Sequence, residues 1–287
     1  MNKKILFKKN FISSETVRYK EKKSTIIPKL LNKNYKIKFG GNIQIKEIIS
    51  PGNINKNYLI SVSKKNFILK KIKNNNPEEI KSQLKLSNFL LKKKFKTISF
   101  FKTLKNEDFL FSNGSFWILY KYIDGKYFSG NYSEFKEASK GFCSFIKILS
   151  KYSKNSETIK LDFRFLQKKK LKKIDLKNKK KYFLLHEKKI LKTLELIKKK
   201  IRFLAHKKLV HTDFHPQNLL FKNNKLKAVL DFEDVANYSV IAAQGFTFFK
   251  LIRHKLVKNK KDMNLIIKKY KSFWINCWNK TFPLLKI

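Results

Sequence analysis

Several residue types that define common protein classes are scarce in this 287-residue sequence. Its two cysteines, Cys143 and Cys277, lie far apart, outside any CxxC pattern and without a nearby histidine. The sequence therefore predicts neither a disulfide framework nor a zinc site, and both cysteines are interpreted as small buried apolar residues. With only 8 Gly and 5 Pro, a collagen-like or spacer protein is excluded.

Long apolar runs are missing as well. The longest, around residues 240–252, is interrupted by Gln244 and Lys250 and is shorter than the roughly 18 residues that a membrane span needs. Residues 1–30 contain many lysines but no continuous apolar core of about 7 residues, so they do not predict a secretory signal. We therefore expect a cytoplasmic protein without a membrane partner. Its 27 Phe and 42% apolar content indicate a globular chain.

Acidic residues are also scarce, since 20 Asp+Glu face 68 Lys+Arg and give a formal net charge of +48. Such a charge favours a polyanionic partner. However, only four of the basic residues are Arg, the side chain suited to base readout and bidentate phosphate binding. The lysines are spread along the chain with 26 Asn and many Ile and Phe, all residues with AT-rich codons. We interpret the charge as compositional bias and expect no specific nucleic acid; a nucleic-acid-binding protein is one alternative.

The apolar pattern divides the chain into a basic lead-in (1–37), a sheet-rich N-terminal lobe (38–123) and a larger helical C-terminal lobe (124–287). Alternating residues and turn signals predict strands, and spacings of three and four predict helices. The predicted elements of the N-terminal lobe are strands at 43–49, 58–62 and 67–72, a helix at 77–91 and a hairpin at 109–123. Those of the C-terminal lobe are helices at 135–149 and 190–204, separated by a lysine-dense solvated stretch at 168–181.

The most informative segment has the pattern HxDxxxxN, formed by His211, Asp213 and Asn218, and is followed by a Leu-Asp-Phe triplet that contains Asp231. Phosphoryl transfer needs such a set, because oxygen ligands hold Mg²⁺ on nucleotide phosphates and a carboxylate lies near the incoming hydroxyl. His211 is interpreted as a structural histidine that braces the loop.

Two apolar runs next to this motif, at 219–221 and 226–230, predict a β-hairpin centred between Asn223 and Asn224. In that register Asn218 lies opposite Val229, and its side chain shares a face with that of Asp231 about 7 Å away. Both side chains could then reach one or two metal ions, with Asp213 beside them.

The segment resembles the catalytic and metal-binding loops of the aminoglycoside phosphotransferase and choline kinase family, whose α+β members have a two-lobed, protein-kinase-like fold. The resemblance implies that Asp213 is the catalytic aspartate and that Asn218 and Asp231 bind the metal. By the same resemblance Glu233 takes the acidic position that replaces the glycine of the protein kinase DFG motif, and is a third metal candidate. A small-molecule kinase that uses ATP and Mg²⁺ therefore fits better than a protein kinase.

The N-terminal lobe agrees with this resemblance. Residues 52–58 are similar to the family's G-x-x-N-x-x-Y turn, where backbone N–H groups approach phosphates. The third predicted strand carries a lysine where kinases bind the α- and β-phosphates, and residues 120–123 fall where the family's interlobe hinge meets adenine. The residues that the resemblance assigns to the nucleotide are Gly52, Asn55, Asn57, Lys70 and Tyr122. Lys71 should face the opposite side of the sheet.

The sequence departs from the family pattern at two places. Gln83 occupies the position expected for the glutamate that pairs with the nucleotide lysine. The Gly-Asp-Pro and Asp-Leu-Ala motifs that often follow the metal aspartate are replaced by Ile241-Ala242-Ala243. A catalytically inactive, ATP-binding kinase-like module is thus a second alternative.

The acceptor is expected to be a small hydroxylated metabolite. The run at residues 117–123 resembles the sugar 1-kinase branch, which favours a sugar or amino sugar; homoserine and choline or ethanolamine are the alternatives. A polycationic aminoglycoside is least favoured, because its amines need clustered carboxylates and the chain carries +48.

Overall fold

The structure is a computed structural model that describes residues 18–37, 42–49, 55–72, 76–152, 207–258 and 263–282. Gly52, the predicted helix at 190–204 and the lysine-dense stretch at 168–181 lie outside the described residues.

An antiparallel sheet dominates the N-terminal part of the chain. Its described strands are β1 (Arg18–Glu21), β2 (Gln44–Ile49), β3 (Lys56–Val62), β4 (Lys65–Ile72), β5 (Phe100–Phe101), β6 (Leu110–Ser112) and β7 (Ser115–Lys121). They lie in the order β1-β2-β3-β4-β7-β5, with β6 paired to β7. The three predicted strands and the predicted hairpin are confirmed. Strand β1 comes from the lead-in and pairs with β2.

Two tight turns fix the register of this sheet. Ser63 and Lys64 join β3 to β4 with φ angles of 47° and 63°, and Asn113 and Gly114 join β6 to β7 with φ angles of 50° and 64°. Two-residue turns with positive φ match the right-handed twist of the strands they connect. Lys70 of β4 consequently pairs with Asn57 of β3. On its other side Lys70 pairs with Ile118 of β7.

Helices cover both faces of the sheet. The buried side chains of helix α1 (Ile26–Asn34) pack against one face of the sheet and form one apolar cluster with Leu69 and Trp117 of that face. Helix α2 (Pro77–Lys92) packs against residues of the other face, including Ile72 and Ile118. The α2 helix begins as predicted, with Pro77 in its first turn and the Asn76 side chain accepting hydrogen bonds from two backbone N–H groups.

The C-terminal part is built around helix α3 (Tyr132–Leu149), whose predicted apolar face is fully buried. Helices α4 (Val240–Lys258) and α5 (Met263–Thr281) follow later in the chain, and α5 packs on α3. Short strands support the motif segment: β9 (Lys207–His211) pairs with β12 (Val235–Ser239), and β10 (Leu219–Lys222) pairs with both β8 (Lys126–Tyr127) and β11 (Lys225–Val229). No helix among the described residues is long and apolar enough to cross a membrane.

The hairpin of β10 and β11 forms at the predicted place, with the predicted register next to its turn and a shifted register beyond Phe221. Asn223 and Asn224 form the turn, with φ angles of 51° and 58°. An irregularity between Leu220 and Phe221 leaves one extra residue on β11, so Leu219 lies opposite Val229. The prediction that Asn218 lies opposite Val229 is therefore wrong by one residue, and Asn218 O instead accepts a hydrogen bond from Leu230 N at 2.8 Å.

Candidate active site

Lys70 forms the centre of a cluster that joins the two parts of the chain. Its Nζ lies 2.6 Å from Oε1 of Glu233 and 3.2 Å from Oδ1 of Asp231. Burial lowers the pKa of Lys70, but the charges of the two carboxylates outweigh it and hold the pKa above its usual value. Lys70 is thus a permanently charged cation held in place by two acids of the motif segment.

Asn55, directly before β3, extends this cluster. Its Nδ2 donates hydrogen bonds to both carboxylate oxygens of Glu233, at 2.8 and 3.1 Å. Asn57 lies opposite Lys70 in the register of β3 and β4, so the two side chains share a face of the sheet. The structure therefore brings together Asn55, Asn57, Lys70, Asp231 and Glu233.

Tyr120 lies closer to this cluster than the predicted hinge residue Tyr122. It shares a sheet face with Lys70, because Ile68 pairs with Tyr120 while Lys70 pairs with Ile118. Burial raises the pKa of Tyr120 to about 12; the charge of Lys70 opposes this shift, and the charges of Asp231 and Glu233 add to it. Tyr122 follows β7, and its pKa is raised by burial and then by the charges of Tyr19 and Asp124. Strand alternation could have shown that Tyr120 shares the face of Lys70, but it gives residue 122 the same face and does not tell the two tyrosines apart.

Lys71 and Gln83 are the two remaining residues that the sequence relates to the position of Lys70. Lys71 lies on the opposite face from Lys70, as predicted, with its Nζ 5.1 Å from the centre of the Trp117 ring. Gln83 is half-buried on α2 and forms no hydrogen bond within the described part of the chain. Gln83 cannot supply the carboxylate expected at this position, and Glu233 supplies one to Lys70 instead.

Asp213 lies in the turn between β9 and a short 3-10 helix (Pro216–Asn218), and His215 holds its carboxylate. The His215 Nδ1 accepts a hydrogen bond from Gln217 N at 3.1 Å, so its Nε2 carries the proton and donates to Oδ2 of Asp213 at 3.0 Å. Burial raises the pKa of Asp213, but His215, His211 and Lys250 outweigh it and hold the pKa below its usual range. Asp213 is therefore an ionised carboxylate with one oxygen engaged.

His211 is fully buried and connects this turn to the segment before Asp231. Its Nδ1 accepts from Asp213 N at 3.3 Å, and its Nε2 donates to the carbonyl of Leu230 at 3.2 Å. Its ring packs among Phe145, Phe214 and Phe232. Burial lowers the pKa of His211, so the neutral ring acts as the structural brace that the sequence predicted.

The oxygen atoms near Asp213 fit a hard divalent cation. Asn218 Nδ2 donates to the carbonyl of Asp213 at 3.0 Å, which leaves Asn218 Oδ1 as the atom for a cation. The chain leaves β11 through Asp231, whose positive φ of 58° is rare for a residue with a side chain. Amide and carboxylate oxygens suit Mg²⁺, which takes only one or two protein carboxylates when phosphates supply other ligands. Accordingly, no group of three His, Cys, Asp or Glu forms a ready-made metal site within the described ranges.

Asp234 adds a fourth carboxylate to this region. Partial burial and then the charges of Asp213, Asp231 and Glu233 raise the pKa of Asp234 to about 6. Its carbonyl accepts hydrogen bonds from the backbone N and the Oγ1 of Thr212, at 2.9 and 2.7 Å. A chain of net charge +48 thus concentrates negative charge at one place, which is where a metal-assisted reaction would need it.

Comparison with known proteins identifies the fold and the family. The model of the phosphotransferase enzyme family matches residues 47–242, whereas no curated protein sequence matches the chain. Three solved structures illustrate the fold. A microcompartment-associated aminopropanol kinase is 12% identical, with 90% of this chain and 81% of that chain covered and a TM-score of 0.67. An aminoglycoside phosphotransferase from Alicyclobacillus acidocaldarius is 13% identical (91% and 79% covered, TM-score 0.65). An amicoumacin kinase is 12% identical (91% and 78% covered, TM-score 0.61).

These likenesses confirm the predicted α+β, kinase-like fold with an antiparallel N-terminal sheet and a helical C-terminal part. The family match includes the Lys70 strand and the whole segment from His211 to Asp234. The chain belongs to the phosphotransferase enzyme family.

Proposed function

We propose that this phosphotransferase transfers a phosphoryl group from ATP to a hydroxyl of a small metabolite in the cytoplasm, with Mg²⁺. The observation that carries the proposal is the contact of Lys70 with Asp231 and Glu233, which joins a nucleotide-type lysine to the segment that contains Asp213 and Asn218. This is the set of groups that phosphoryl transfer needs.

The nucleotide side is proposed to consist of the residues around β3 and β4. Lys70 offers an ammonium group to the phosphates, Asn57 shares its face of the sheet, and Asn55 contacts Glu233. The resemblance also assigns Gly52 to the nucleotide. Asn218, Asp231 and Glu233 would hold Mg²⁺, which when bound neutralises charge on the transferred phosphoryl group. The resemblance assigns Tyr122 to the nucleotide, and Tyr120 is the aromatic neighbour of Lys70.

Asp213 is proposed to orient the acceptor hydroxyl and to accept its proton. With Oδ2 engaged by His215, Oδ1 is the oxygen that faces no described side-chain donor and is available to the hydroxyl. Because its pKa is below the usual range, Asp213 is ionised at neutral pH and ready to accept the proton as the new O–P bond forms.

The overall charge of +48, together with Lys250 near Asp213, favours neutral or anionic acceptors, with a sugar or amino sugar preferred. Lys250 of α4 is one of the cations that lower the pKa of Asp213, and its Nζ lies 4.9 Å from the centre of the exposed Phe246 ring. A cation beside the base repels a polycationic acceptor and can pair with a carboxylate. Lys250 thus favours homoserine as the second candidate over choline or ethanolamine.

The proposal is tested by measuring Mg²⁺-dependent ATP consumption with a panel of sugars, amino sugars, homoserine, choline, ethanolamine and one aminoglycoside. We expect consumption that depends on one neutral or anionic acceptor and is absent without it. Binding of ATP without consumption for any acceptor would instead support an inactive module, and strong binding of RNA that weakens steeply with salt would support the nucleic-acid alternative.

A further inference from the structure

The two cysteines of the chain meet in the folded protein. Cys143 lies on α3 and Cys277 on α5, 134 residues later, and their Sγ atoms are 3.8 Å apart. Both are free thiols. The interpretation of both cysteines as buried is confirmed for Cys143, but it is wrong for Cys277, which is half-buried. The contact between them was not predicted.

The packing of the two helices fixes this contact. Phe142, next to Cys143, packs on Trp274, one turn before Cys277, with ring centres 5.6 Å apart. Trp274 also packs on Phe135 at 6.0 Å. These aromatic contacts hold the thiols side by side, so each sulfur needs to move only about 1 Å to reach the 2.05 Å bond length of a disulfide.

The two thiols have complementary chemical character. A hydrogen bond between the thiols lowers the pKa of Cys277, burial opposes this, and the charges of Lys140 and Lys280 lower the pKa further. The same hydrogen bond and burial raise the pKa of Cys143. An accessible thiol with a lowered pKa beside a second, buried thiol is the arrangement of a nucleophilic and a resolving cysteine.

We propose that Cys143 and Cys277 form a reversible intramolecular disulfide that links α3 to α5. The oxidant is a low-molecular-weight disulfide. The Cys277 thiolate attacks one sulfur of this disulfide and displaces the other as a thiolate, which gives a mixed disulfide on Cys277. The Cys143 thiol then loses its proton and attacks Cys277 Sγ, which releases the second small thiol. Two protein thiols are oxidised and one small disulfide is reduced to two thiols.

The test uses the full-length, reduced protein and oxidised glutathione as the probe. We expect the wild type to lose both titratable thiols and the mass of two hydrogen atoms. It should remain monomeric on non-reducing gels and regain both thiols with dithiothreitol. Because the linkage closes a loop of 134 residues, the oxidised protein should also unfold at a midpoint several degrees higher than the reduced protein.

Two single variants separate the roles of the cysteines. Cys143→Ala should stop at the mixed disulfide, seen as the added mass of one glutathionyl group, because no resolving thiol remains. Cys277→Ser should keep its one buried thiol unmodified under the same conditions. The wild-type measurement decides the proposal even if either variant folds poorly. A wild type that keeps both thiols, retains glutathione or forms only linked dimers would overturn it.

Discussion

The ammonium group of Lys70 lies 2.6 Å from Oε1 of Glu233, a residue 163 positions later in the chain. This contact joins β4 of the N-terminal sheet to the segment after β11, whereas Gln83 on α2 offers no carboxylate. The lysine is thus positioned by the acidic segment itself. The lysine proposed to bind the nucleotide and the acids proposed to hold the metal therefore share one carboxylate.

Replacing Glu233 should weaken the use of ATP. In Glu233→Gln, Lys70 loses its closest charged partner and Asn55 loses its anionic acceptor. Because hydrogen bonds to charged groups contribute about 1.5–3 kcal/mol, we expect kcat/KM for ATP to fall about tenfold or more. The control is Glu78→Gln, which removes an exposed carboxylate that pairs only with lysines of α2. Steady-state kinetics with varied ATP should show the control within twofold of the wild type. Equal kinetics of both variants would exclude a role for Glu233.

Replacing His215 should lower kcat more than it raises KM. His215→Ala frees Oδ2 of Asp213, so the carboxylate is no longer fixed towards the hydroxyl, and we expect kcat to fall about 10- to 100-fold, a range typical of lost orientation at an acid–base group. His215→Asn, which can donate an amide N–H, should recover part of the loss. Unchanged affinity for ATP would confirm that the nucleotide side is intact.

The same variant predicts a shift in pH dependence. His215 contributes to the lowered pKa of Asp213, so the wild type should lose activity only at pH values below the usual aspartate range. Without His215 the pKa rises, and the acidic limb of the kcat/KM profile should move to higher pH. A limb that stays in place, or moves to lower pH, would show that another group controls it.

Protein stability should depend on His211 in mildly acidic solution. Because burial lowers its pKa in the folded state, the unfolded chain binds more protons once the pH falls below about 6.5, the ordinary histidine value. Stability is therefore complete above that pH and decreases as the pH falls towards the lowered value. Thermal unfolding of the wild type between neutral and mildly acidic pH should show this decrease, and His211→Gln should show less of it while starting from lower stability.

Two glycines offer a matched test of the backbone. A Cβ on either Gly114 or Gly245 meets no atom within 4 Å, but only Gly114 has a positive φ, of 64°. Gly114→Ala should lower the free energy of unfolding by about 1 kcal/mol, the cost of a left-handed conformation. Gly245→Ala in α4 should raise it by roughly 0.5–1 kcal/mol through helix propensity. Denaturant unfolding measures both, and equal effects would contradict the turn geometry.

The sequence was informative where local chemistry decides the structure. The hairpin turn at Asn223-Asn224, the start of α2 at Pro77 and the buried face of α3 all follow from residues near one another in the chain. The pairing of Lys70 with acids of the motif segment was expected in outline, through the proposed nucleotide site, but not as a direct contact.

Other features depend on contacts that no local pattern specifies. The extra residue on β11 shifts the register at Asn218 by one, because tertiary packing decides where a bulge forms. The pairing of β9 with β12 joins short segments separated by the hairpin. The meeting of Cys143 with Cys277 depends on how α3 and α5 pack. Helix α4 is apolar around most of its length, so it shows little amphipathic periodicity.

The proposed role of Asp213 as the base is tested by acceptor-dependent ATP consumption of Asp213→Asn, measured beside ATP binding by the same protein. The amide keeps the shape of the side chain and can still contact His215, but it cannot accept the proton of the acceptor hydroxyl. We predict that the rate of acceptor-dependent ATP consumption falls by about 10²-fold or more, while ATP binding remains close to that of the wild type. Wild-type turnover by this variant would contradict the assignment of Asp213 and the mechanism built on it.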